Sequence, residues 1–521
     1  MEDPKKIKMN NNSNNTKRIF FNTIVLYLRM FITMVITLYS SRIVLQALGV
    51  EDYGIFNVVG GIVALLTFLK SSLASSSQRF ISYELGRKDE DQLKKVFGTC
   101  VTSHLLMSLI ILIIAESLGL WFLNAKMNIP EGRMVAANWV YQFAVGSLIL
   151  SMVSVPYNAD IISHEKMTYF AVVGIVEAIL KLLFAFALLF FNTDSLILYA
   201  FLTFFLNLLV FFSYITYCRH KFQESKGVFY FEKEQFKRVF SFSGWAILGQ
   251  SAVVAANYGT GILVNMFHTV TANAAMGIAQ QVNGALTGLT SNFQTAFQPQ
   301  LTKSYAAKDY EYLNKLISYT SKISFFLLFI VTYPILLNIN IVLNIWLTVV
   351  PEYTNTFCAL FIIASLINAL GTALWTSIFA TGSIKSYQIT SSLIFFSDVI
   401  LVYIAFYCGC APTACMVIKV LINLVILFVR LYFAKLKVIG FSASSYLKNS
   451  ILASFAASAI TILFTFPLYN ITETRIGIIL TTIWSIVASI IIMYFVGLNK
   501  QERLIAFNFI VKLKNKYYGN H

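Results

Sequence analysis

Long apolar runs separated by short polar breaks fill most of the chain. A helix of about 20 apolar residues is long enough to cross the hydrocarbon core of a bilayer. Fourteen runs reach that length, and each is predicted to be a membrane-spanning helix. They cover approximately residues 20–48, 53–76, 98–124, 135–155, 167–191, 195–218, 241–266, 271–298, 317–348, 354–380, 386–408, 411–433, 446–468 and 475–497.

Positive charge is distributed unequally over the breaks between these runs. If the amino terminus is placed inside and the spans alternate, inner segments and helix ends carry 30 of the 39 Lys and Arg, whereas outer loops carry three. Inner loops of membrane proteins are enriched in Lys and Arg. The pattern therefore predicts a multi-pass protein with both termini in the cytoplasm. It also favours fourteen spans, because one missing or extra helix would scramble the alternation.

The composition supports a membrane protein and narrows the classes of function. The 521 residues are 58% hydrophobic and only 12% charged, with a mean hydropathy of +0.72, whereas about a quarter of a typical soluble chain is charged. The net charge of +16 is explained by inner loops, so no nucleic-acid partner is predicted. The chain contains no phosphate-binding loop, zinc-protease motif or nucleophile elbow. We therefore predict no enzyme activity, no cofactor and no metal site.

An internal repeat divides the chain. QRFISYELGRKDEDQLKK at 78–95 aligns without a gap with QPQLTKSYAAKDYEYLNK at 298–315. Each stretch follows the second helix of a six-helix set. Because each set contains an even number of spans, the two sets have the same orientation. Parallel-repeat transporters share this arrangement, and their substrate site lies between the halves. The predicted organisation is all-α, with two six-helix lobes, two additional helices and two polar tails. These parts are a disordered cytoplasmic tail at 1–17, lobes at 18–222 and 232–436, additional helices at 446–497 and a basic cytoplasmic tail at 498–521.

Cations interrupt the first two apolar runs. Arg29 and Arg42 lie in the first and Lys70 in the second. A charge near the centre of a spanning helix costs at least about 2.5–3.5 kcal/mol, so such residues usually face a bundle interior or an aqueous cavity. Arg29 falls near mid-membrane and is predicted to face a cavity. Arg42 and Lys70 lie nearer the ends of their spans, where snorkelling to the interface is an alternative.

Further charges occur in later spans. Glu177 and Lys181 lie four residues apart in the fifth span, so they share a helix face and can pair. Asp398 lies in the eleventh span and Lys419 in the twelfth. These four residues are candidates for cavity gating or for coupling to protons or sodium ions. Structural ion pairs are the alternative explanation.

The seventh and eighth spans are rich in uncharged polar side chains. Amides suit the hydroxyl groups of sugars, but hydrogen bonding between helices explains them equally well. The eighth span contains no Lys or Arg between 271 and 298. The candidate sugar-facing residues are Asn257, Gln280, Gln281, Asn283 and Asn292.

Two motifs carry a family resemblance. SSRIVLQALGVEDYGIFNVVGGI at 40–62 resembles the opening of polysaccharide and O-antigen flippases, and VPYNADIISHEKMTYF at 155–170 resembles their connection between the fourth and fifth helices. These flippases are oligosaccharide exporters of the superfamily that also contains multidrug-extruding MATE proteins, and the resemblance extends over essentially the full length.

The resemblance implies a function in surface polysaccharide export. It implies alternating-access movement of an undecaprenyl-pyrophosphate-linked oligosaccharide across the bacterial inner membrane, with membrane lipids and a polysaccharide polymerase machinery as partners. In the related lipid II flippases, cations of the first two helices are implicated in binding the pyrophosphate. Arg42 and Lys70 fall near those positions. Arg29 joins them as a candidate because Arg and Lys in a low-dielectric cavity bind dense anions well.

Two other classes of function compete with this interpretation. A MATE-type multidrug or cation antiporter would favour acids in its cavity, whereas the first span has two arginines and no acid. A membrane glycosyltransferase, ligase or polymerase acting on the same lipid would commonly need a sizeable outer loop, and the outer loops predicted here are short.

Overall fold

A computed structural model describes most of the chain. It covers residues 4–64, 67–127, 129–191, 193–227, 230, 232–347, 350–465, 475–500 and 502–504, with side chains from residue 21 onward apart from some inside helices. All regular elements in these residues are helices, as the sequence predicts. The first half contains α1 Pro4–Ala64, α2 Thr67–Arg87, α3 Glu90–Ile114, α4 Leu120–Lys126, α5 Met134–Val153, α6 Val155–Ser163, α7 Met167–Ala187, α8 Ser195–Lys221 and α9 Lys233–Phe267. The second half contains α10 Val270–Ala306, α11 Tyr310–Leu337, α12 Ile339–Trp346, α13 Thr354–Ala380, α14 Lys385–Tyr407, α15 Ala414–Lys437, α16 Ala443–Tyr446, α17 Ala453–Thr465 and α18 Arg475–Ile492.

The predicted spans coincide with these helices or with consecutive runs of them. In the described residues, 12 helices are long and apolar enough to cross a membrane. Two predicted spans fall outside that set. The span at 53–76 includes residues 65–66, which are not described, and the span at 271–298 is α10, whose many amides make it more polar. The all-α membrane fold class is confirmed.

The kink in α1 separates the first two predicted spans. Gly49 has a φ of 76° inside an otherwise helical segment, a backbone conformation that glycine adopts without the strain of a Cβ atom. The described part of the helix extends from Pro4, so residues 4–17 differ from the disordered tail that their polar composition predicts. Extending an existing helix is easier than starting one.

The repeat is visible in the backbone. Lys88 and Lys308 both have a φ of 58°. The next residue in each case caps the following helix: Asp89 accepts a hydrogen bond from the backbone N–H of Gln92 at 3.0 Å, and Asp309 accepts one from the N–H of Tyr312 at 3.4 Å. The two halves therefore repeat the same helix, left-handed residue and Asp cap.

The chain divides into two compact units. One is Asn22–Ser251 and the other Ala252–His521 together with Met1–Phe21; we call them the N-terminal and C-terminal units. The division falls inside α9, later than the break predicted between 222 and 232. The first part of α9 packs on α2, because Ser243 donates a hydrogen bond to Ser76 at 2.8 Å.

The two helices predicted as additions belong to the C-terminal unit. Both α17 and α18 pack on α11. Just before α17, the hydroxyl of Tyr446 donates to Ser321 of α11 at 2.7 Å. The buried Lys322, the next residue of α11, forms an ion pair with Glu502. Residues 505–521 of the predicted basic tail lie outside the described part of the chain.

An ion cluster links helix starts in the N-terminal unit. Arg133, just before α5, donates to Asp52 through Nε at 2.8 Å and to Asp194 through Nη1 at 2.6 Å. Asp194 also caps α8 by accepting from the backbone N–H groups of Leu196 and Ile197. Burial opposes ionisation of Asp194, but these hydrogen bonds from Arg133 and the backbone lower its pKa below the usual value.

Replacing Asp194 with Asn should lower the thermal unfolding midpoint of the detergent-purified protein at pH 7. A carboxylate whose pKa is depressed by folding stabilises the protein above its unfolded pKa of about 3.9, and this stabilisation is lost as the pH falls through the folded value. The difference between wild type and Asp194→Asn should therefore shrink below about pH 4. The control is Glu131→Gln, an exposed acid two residues before Arg133. A difference that stays constant with pH would contradict this assignment.

Candidate functional site

Charged groups from several helices lie near one another in the N-terminal unit, and the acid among them, Glu177, is exposed. Arg29 comes from α1, Lys70 from α2, Glu177 from α7 and Tyr214 from α8. The carboxylate of Glu177 interacts electrostatically with Arg29, Lys70 and Tyr214. We call these four residues the cation cluster. Two cations and one acid leave it with an excess of positive charge.

One face of α7 holds the guanidinium of Arg29. Its Cζ lies 4.2 Å from the centroid of the Phe170 ring, a distance at which cation–π attraction contributes about 0.5–2 kcal/mol. The side chain then crosses Gly174, where an added Cβ would lie 2.6 Å from the Arg29 Nε. Phe170, Gly174 and Glu177 are spaced as neighbours on one helix face. Arg29 is therefore packed within the unit and does not snorkel to an interface.

Lys70 and Arg42 differ in their surroundings. Lys70 is half-buried and interacts with Glu177, so it joins Arg29 around one carboxylate. Arg42 is exposed on α1, and among the described residues it forms no hydrogen bond or ion pair. The thirteen residues between Arg29 and Arg42 correspond to about 20 Å of helix. The structure thus brings together two of the three predicted headgroup cations.

Glu177 and Lys181 can pair by their spacing, but they form no ion pair in the described part of this structure. Both lie on α7 one turn apart. Helical spacing makes the pair available, but Arg29 and Lys70 come to Glu177 from α1 and α2. Lys181 is half-buried one turn further along the same helix.

A second polar cluster lies inside the C-terminal unit. It consists of Asn257 and Thr260 on α9, Asp398 on α14 and Lys419 on α15; we call it the Asp398 cluster. Lys419 donates to the Asn257 amide oxygen at 2.6 Å. Asp398 and Lys419 interact electrostatically, but the described atoms show no ion pair between them. The structure therefore does not contain the direct Asp398–Lys419 ion pair that was the alternative explanation for these charges.

Asp398 is poorly satisfied for a buried acid. The residue is only 2% exposed, and its Oδ1 has no hydrogen-bond partner among the described atoms. Its Oδ2 is 3.4 Å from the hydroxyl of Thr260, which is closer, at 2.7 Å, to the carbonyl of Ala256. A buried carboxylate is costly unless it is paired, protonated or bound to a cation. Asp398 therefore keeps one buried oxygen that is open to a proton or a cation.

Three of the five candidate sugar-facing amides are used within the C-terminal unit. Asn257 binds Lys419, Asn283 accepts from Ser365 at 3.5 Å, and Asn292 donates to the carbonyl of Gly288 in its own helix at 2.9 Å. Gln280 is half-buried and Gln281 is exposed. Contact of these residues with a sugar stays a prediction.

Sequence reasoning missed the residues that hold Arg29 in place. Phe170 and Gly174 precede Glu177 by seven and three residues, so helical spacing places all three on one face of α7. That spacing is the sequence feature from which the contact surface of Arg29 could have been inferred. Tyr214 of α8 also interacts electrostatically with Arg29, and no spacing rule connects these two residues.

The sequence also matches a known family. The family model for polysaccharide biosynthesis proteins matches residues 16–305, more than half of the chain. The chain belongs to this family. The matched region contains the whole cation cluster and ends within α10, and it confirms the family predicted from the motifs at 40–62 and 155–170. No curated protein matches the chain at a significant level.

Solved structures of related fold are membrane transporters. An outward-facing multidrug resistance MATE family transporter of the MOP superfamily has a TM-score of 0.71 at 13% identity, covering 83% of this chain and 96% of its own. The Vibrio cholerae MATE transporter VcmN in its bent form has a TM-score of 0.68 at 14% identity, covering 84% and 98%. A Pyrococcus furiosus MOP superfamily transporter, described as having a binding pocket of reversed polarity, has a TM-score of 0.67 at 14% identity, covering 83% and 96%. At these identities the likeness shows the fold. The protein is therefore a multi-pass membrane protein with the fold of this transporter superfamily.

Proposed function

We propose that this protein flips undecaprenyl-pyrophosphate-linked oligosaccharide units from the cytoplasmic to the outer leaflet of the bacterial inner membrane. Family membership supports a role in polysaccharide biosynthesis. The observation that carries the proposal is the cation cluster, which places Arg29 and Lys70 near a single acid among the apolar helices of the N-terminal unit. Such an excess of positive charge suits an anionic headgroup.

A pyrophosphate is chemically matched to these two side chains. A guanidinium offers a planar fork of donors to phosphate oxygens, and an ammonium acts as a compact point charge. Hydrogen bonds to ionised groups are about twice as strong as neutral ones. The polyprenyl chain can stay in lipid while the headgroup crosses. Arg42, exposed and distant from the cluster, would act at most as an outer contact for the same headgroup.

Glu177 supplies a resident competitor for the pyrophosphate. In the structure it interacts with both cations, so the incoming headgroup has to displace it. Lys181, one turn along α7, is placed to receive the displaced carboxylate. A move of the Glu177 carboxylate from Arg29 and Lys70 to Lys181 would couple headgroup binding to a change in α7. This exchange is the gating role that we propose for Glu177 and Lys181.

The Asp398 cluster is the proposed site of ion coupling. Its acid is buried and only partly satisfied, and Lys419 is held by Asn257. Binding of a proton or a sodium ion at Asp398 would change the charge of the C-terminal unit during the transport cycle. The polysaccharide polymerase machinery would receive the flipped units, and both termini would lie in the cytoplasm.

A MATE-type multidrug or cation antiporter is the second candidate function. Its support is the fold, since a multidrug MATE transporter is among the similar structures. The positive excess of the cation cluster disfavours a cationic drug at that position. The proposal therefore rests on the sign of charge inside the N-terminal unit.

Reconstitution distinguishes these functions. Purified protein is placed in liposomes that contain an undecaprenyl-pyrophosphate-linked oligosaccharide, and the sugar reaching the outer leaflet is measured by its accessibility to an added glycosidase. We expect faster exposure of sugar than in protein-free liposomes and no export of ethidium in a pump-deficient strain. Ethidium export without sugar exposure would favour the antiporter, and transfer of sugar between lipids would indicate an enzyme.

A further inference from the structure

A three-residue cluster lies at the end of the N-terminal unit where α6 ends. Asp160 and His164 are one turn apart at that helix end, and Glu224 lies in the short turn Glu224–Lys226 after α8. The Nε2 atom of His164 is 2.6 Å from Oε1 of Glu224 and 3.6 Å from Oδ1 of Asp160. One potential ligand atom from each residue lies within 4.8 Å of the other two.

Asp160 is the unsatisfied member of this cluster. The residue is 0% exposed, and neither carboxylate oxygen has a hydrogen-bond partner among the described atoms. At 3.6 Å the imidazole nitrogen is beyond hydrogen-bond range. Buried polar groups almost always have partners, so two orphaned carboxylate oxygens on one side chain require an explanation.

The charged groups around Asp160 do not explain why its carboxylate oxygens lack partners. Glu224, itself buried, interacts with Asp160 as a like charge. The thiols of Cys100 and Cys218 also interact electrostatically with Asp160. In the described part of the chain, no Lys or Arg forms an ion pair with Asp160 or Glu224; His164 is their partner. The cluster is therefore short of positive charge.

The imidazole is held in a fixed orientation. Its ring stacks on Phe222 with centroids 4.0 Å apart and planes 7° apart. This stacking fixes the ring plane while its Nε2 atom lies within 3.6 Å of both acids. The protein therefore sets the ring plane and the direction of Nε2, and metal-binding histidines likewise have a fixed ring orientation.

We propose that Asp160, His164 and Glu224 bind a divalent cation of the zinc or manganese class. One imidazole nitrogen and two carboxylate oxygens are suitable ligands for such ions. Zn–N and Zn–O distances of about 2.0–2.2 Å place neighbouring ligand atoms roughly 3.0–3.5 Å apart. The 3.6 Å between His164 and Asp160 is slightly longer than this range, and the 2.6 Å contact between His164 and Glu224 has to open by roughly 0.4–0.9 Å.

The ion would fasten the end of α6 to the turn that follows α8. Sequence analysis predicted no metal site, because Glu224 is 60 residues from His164 and only the fold brings them together. This site shares no residue with the cation cluster, so its test does not depend on the proposed flippase function.

Metal content and thermal stability test the site in the full-length protein. After chelator treatment and equilibration with Zn²⁺ or Mn²⁺, wild type should retain about one ion per chain by mass spectrometry. Asp160→Asn and His164→Gln should reduce retention at least tenfold. The matched control His220→Gln, an exposed histidine on α8, should retain the ion. Adding Zn²⁺ or Mn²⁺ should raise the wild-type unfolding midpoint by several degrees, because an ion that binds only the folded state stabilises it.

Two results would overturn the proposal. The first is a wild-type protein that retains neither ion and shows no rise in its unfolding midpoint, which would mean that the two acids share a proton. The second is retention that survives in Asp160→Asn, which would mean an adventitious ion. If Asp160→Asn does not fold, Glu224→Gln at the turn tests the same ligand set, and the wild-type midpoint decides independently of any variant.

Discussion

Replacing Arg29 with Ala is expected to lower the rate of oligosaccharide flipping by at least tenfold while the protein remains in the membrane. Hydrogen bonds to a charged group contribute about 1.5–3 kcal/mol, and 1.4 kcal/mol corresponds to a factor of ten. Arg29 is the side chain of the cation cluster whose guanidinium is fixed by Phe170 and Gly174. Its loss removes the planar fork of donors and leaves Lys70 alone with Glu177. The measurement is sugar exposure in liposomes, with protein amount as the reference.

Matched variants separate charge from position. Lys70→Ala should reduce flipping by a similar factor, whereas Arg42→Ala should have a smaller effect because Arg42 is exposed and outside the cluster. Arg219→Ala, which removes an exposed cation at the end of α8, serves as the control. Gly174→Val keeps every charge but pushes the Arg29 side chain away, so it should also impair flipping. Wild-type rates in both Arg29→Ala and Lys70→Ala would refute the headgroup site.

The sequence predicted what depends on local patterns. Spans follow from apolar length, so the helices lie where the runs are, and Gly49 falls between the first two. The repeat predicted equivalent segments at 78–95 and 298–315, and the structure adds that Lys88 and Lys308 share one backbone conformation. These features are set by residues close together in the chain, which is why sequence alone was enough.

Partners across helices were not predictable in the same way. The spacing of Glu177 and Lys181 allows a pair, but a spacing rule takes no account of cations on other helices. Asp398 and Lys419 were singled out because each is a charge in a span, yet Asn257 as the partner of Lys419 follows only from the packing of α9 with α15. Charge in an apolar run thus identified candidate residues, and the fold determined which of them meet.

Replacing Asp398 with Asn should abolish the stimulation of flipping by an imposed ion gradient. The substitution conserves shape but removes the group that can take up and release a proton or a sodium ion. Because Asp398 is buried and has one oxygen without a described partner, it is the acid of the C-terminal unit best placed to change its occupancy. The measurement compares sugar exposure with a pH gradient, with a sodium gradient and without either. Glu352→Gln, an exposed acid of the same unit, is the control.

The two variants should fail in different steps. Arg29→Ala should weaken binding of the lipid-linked oligosaccharide itself, measured with protein in detergent, because it removes a headgroup contact. Asp398→Asn should bind the lipid as wild type does and lose only gradient-driven flipping, because its cluster lies in the other unit and belongs to the coupling step. Gradient-stimulated flipping in Asp398→Asn would remove Asp398 from that step. Loss of lipid binding in Asp398→Asn would instead place this acid in the binding of substrate, so the pair of measurements tests the division of labour between the two clusters.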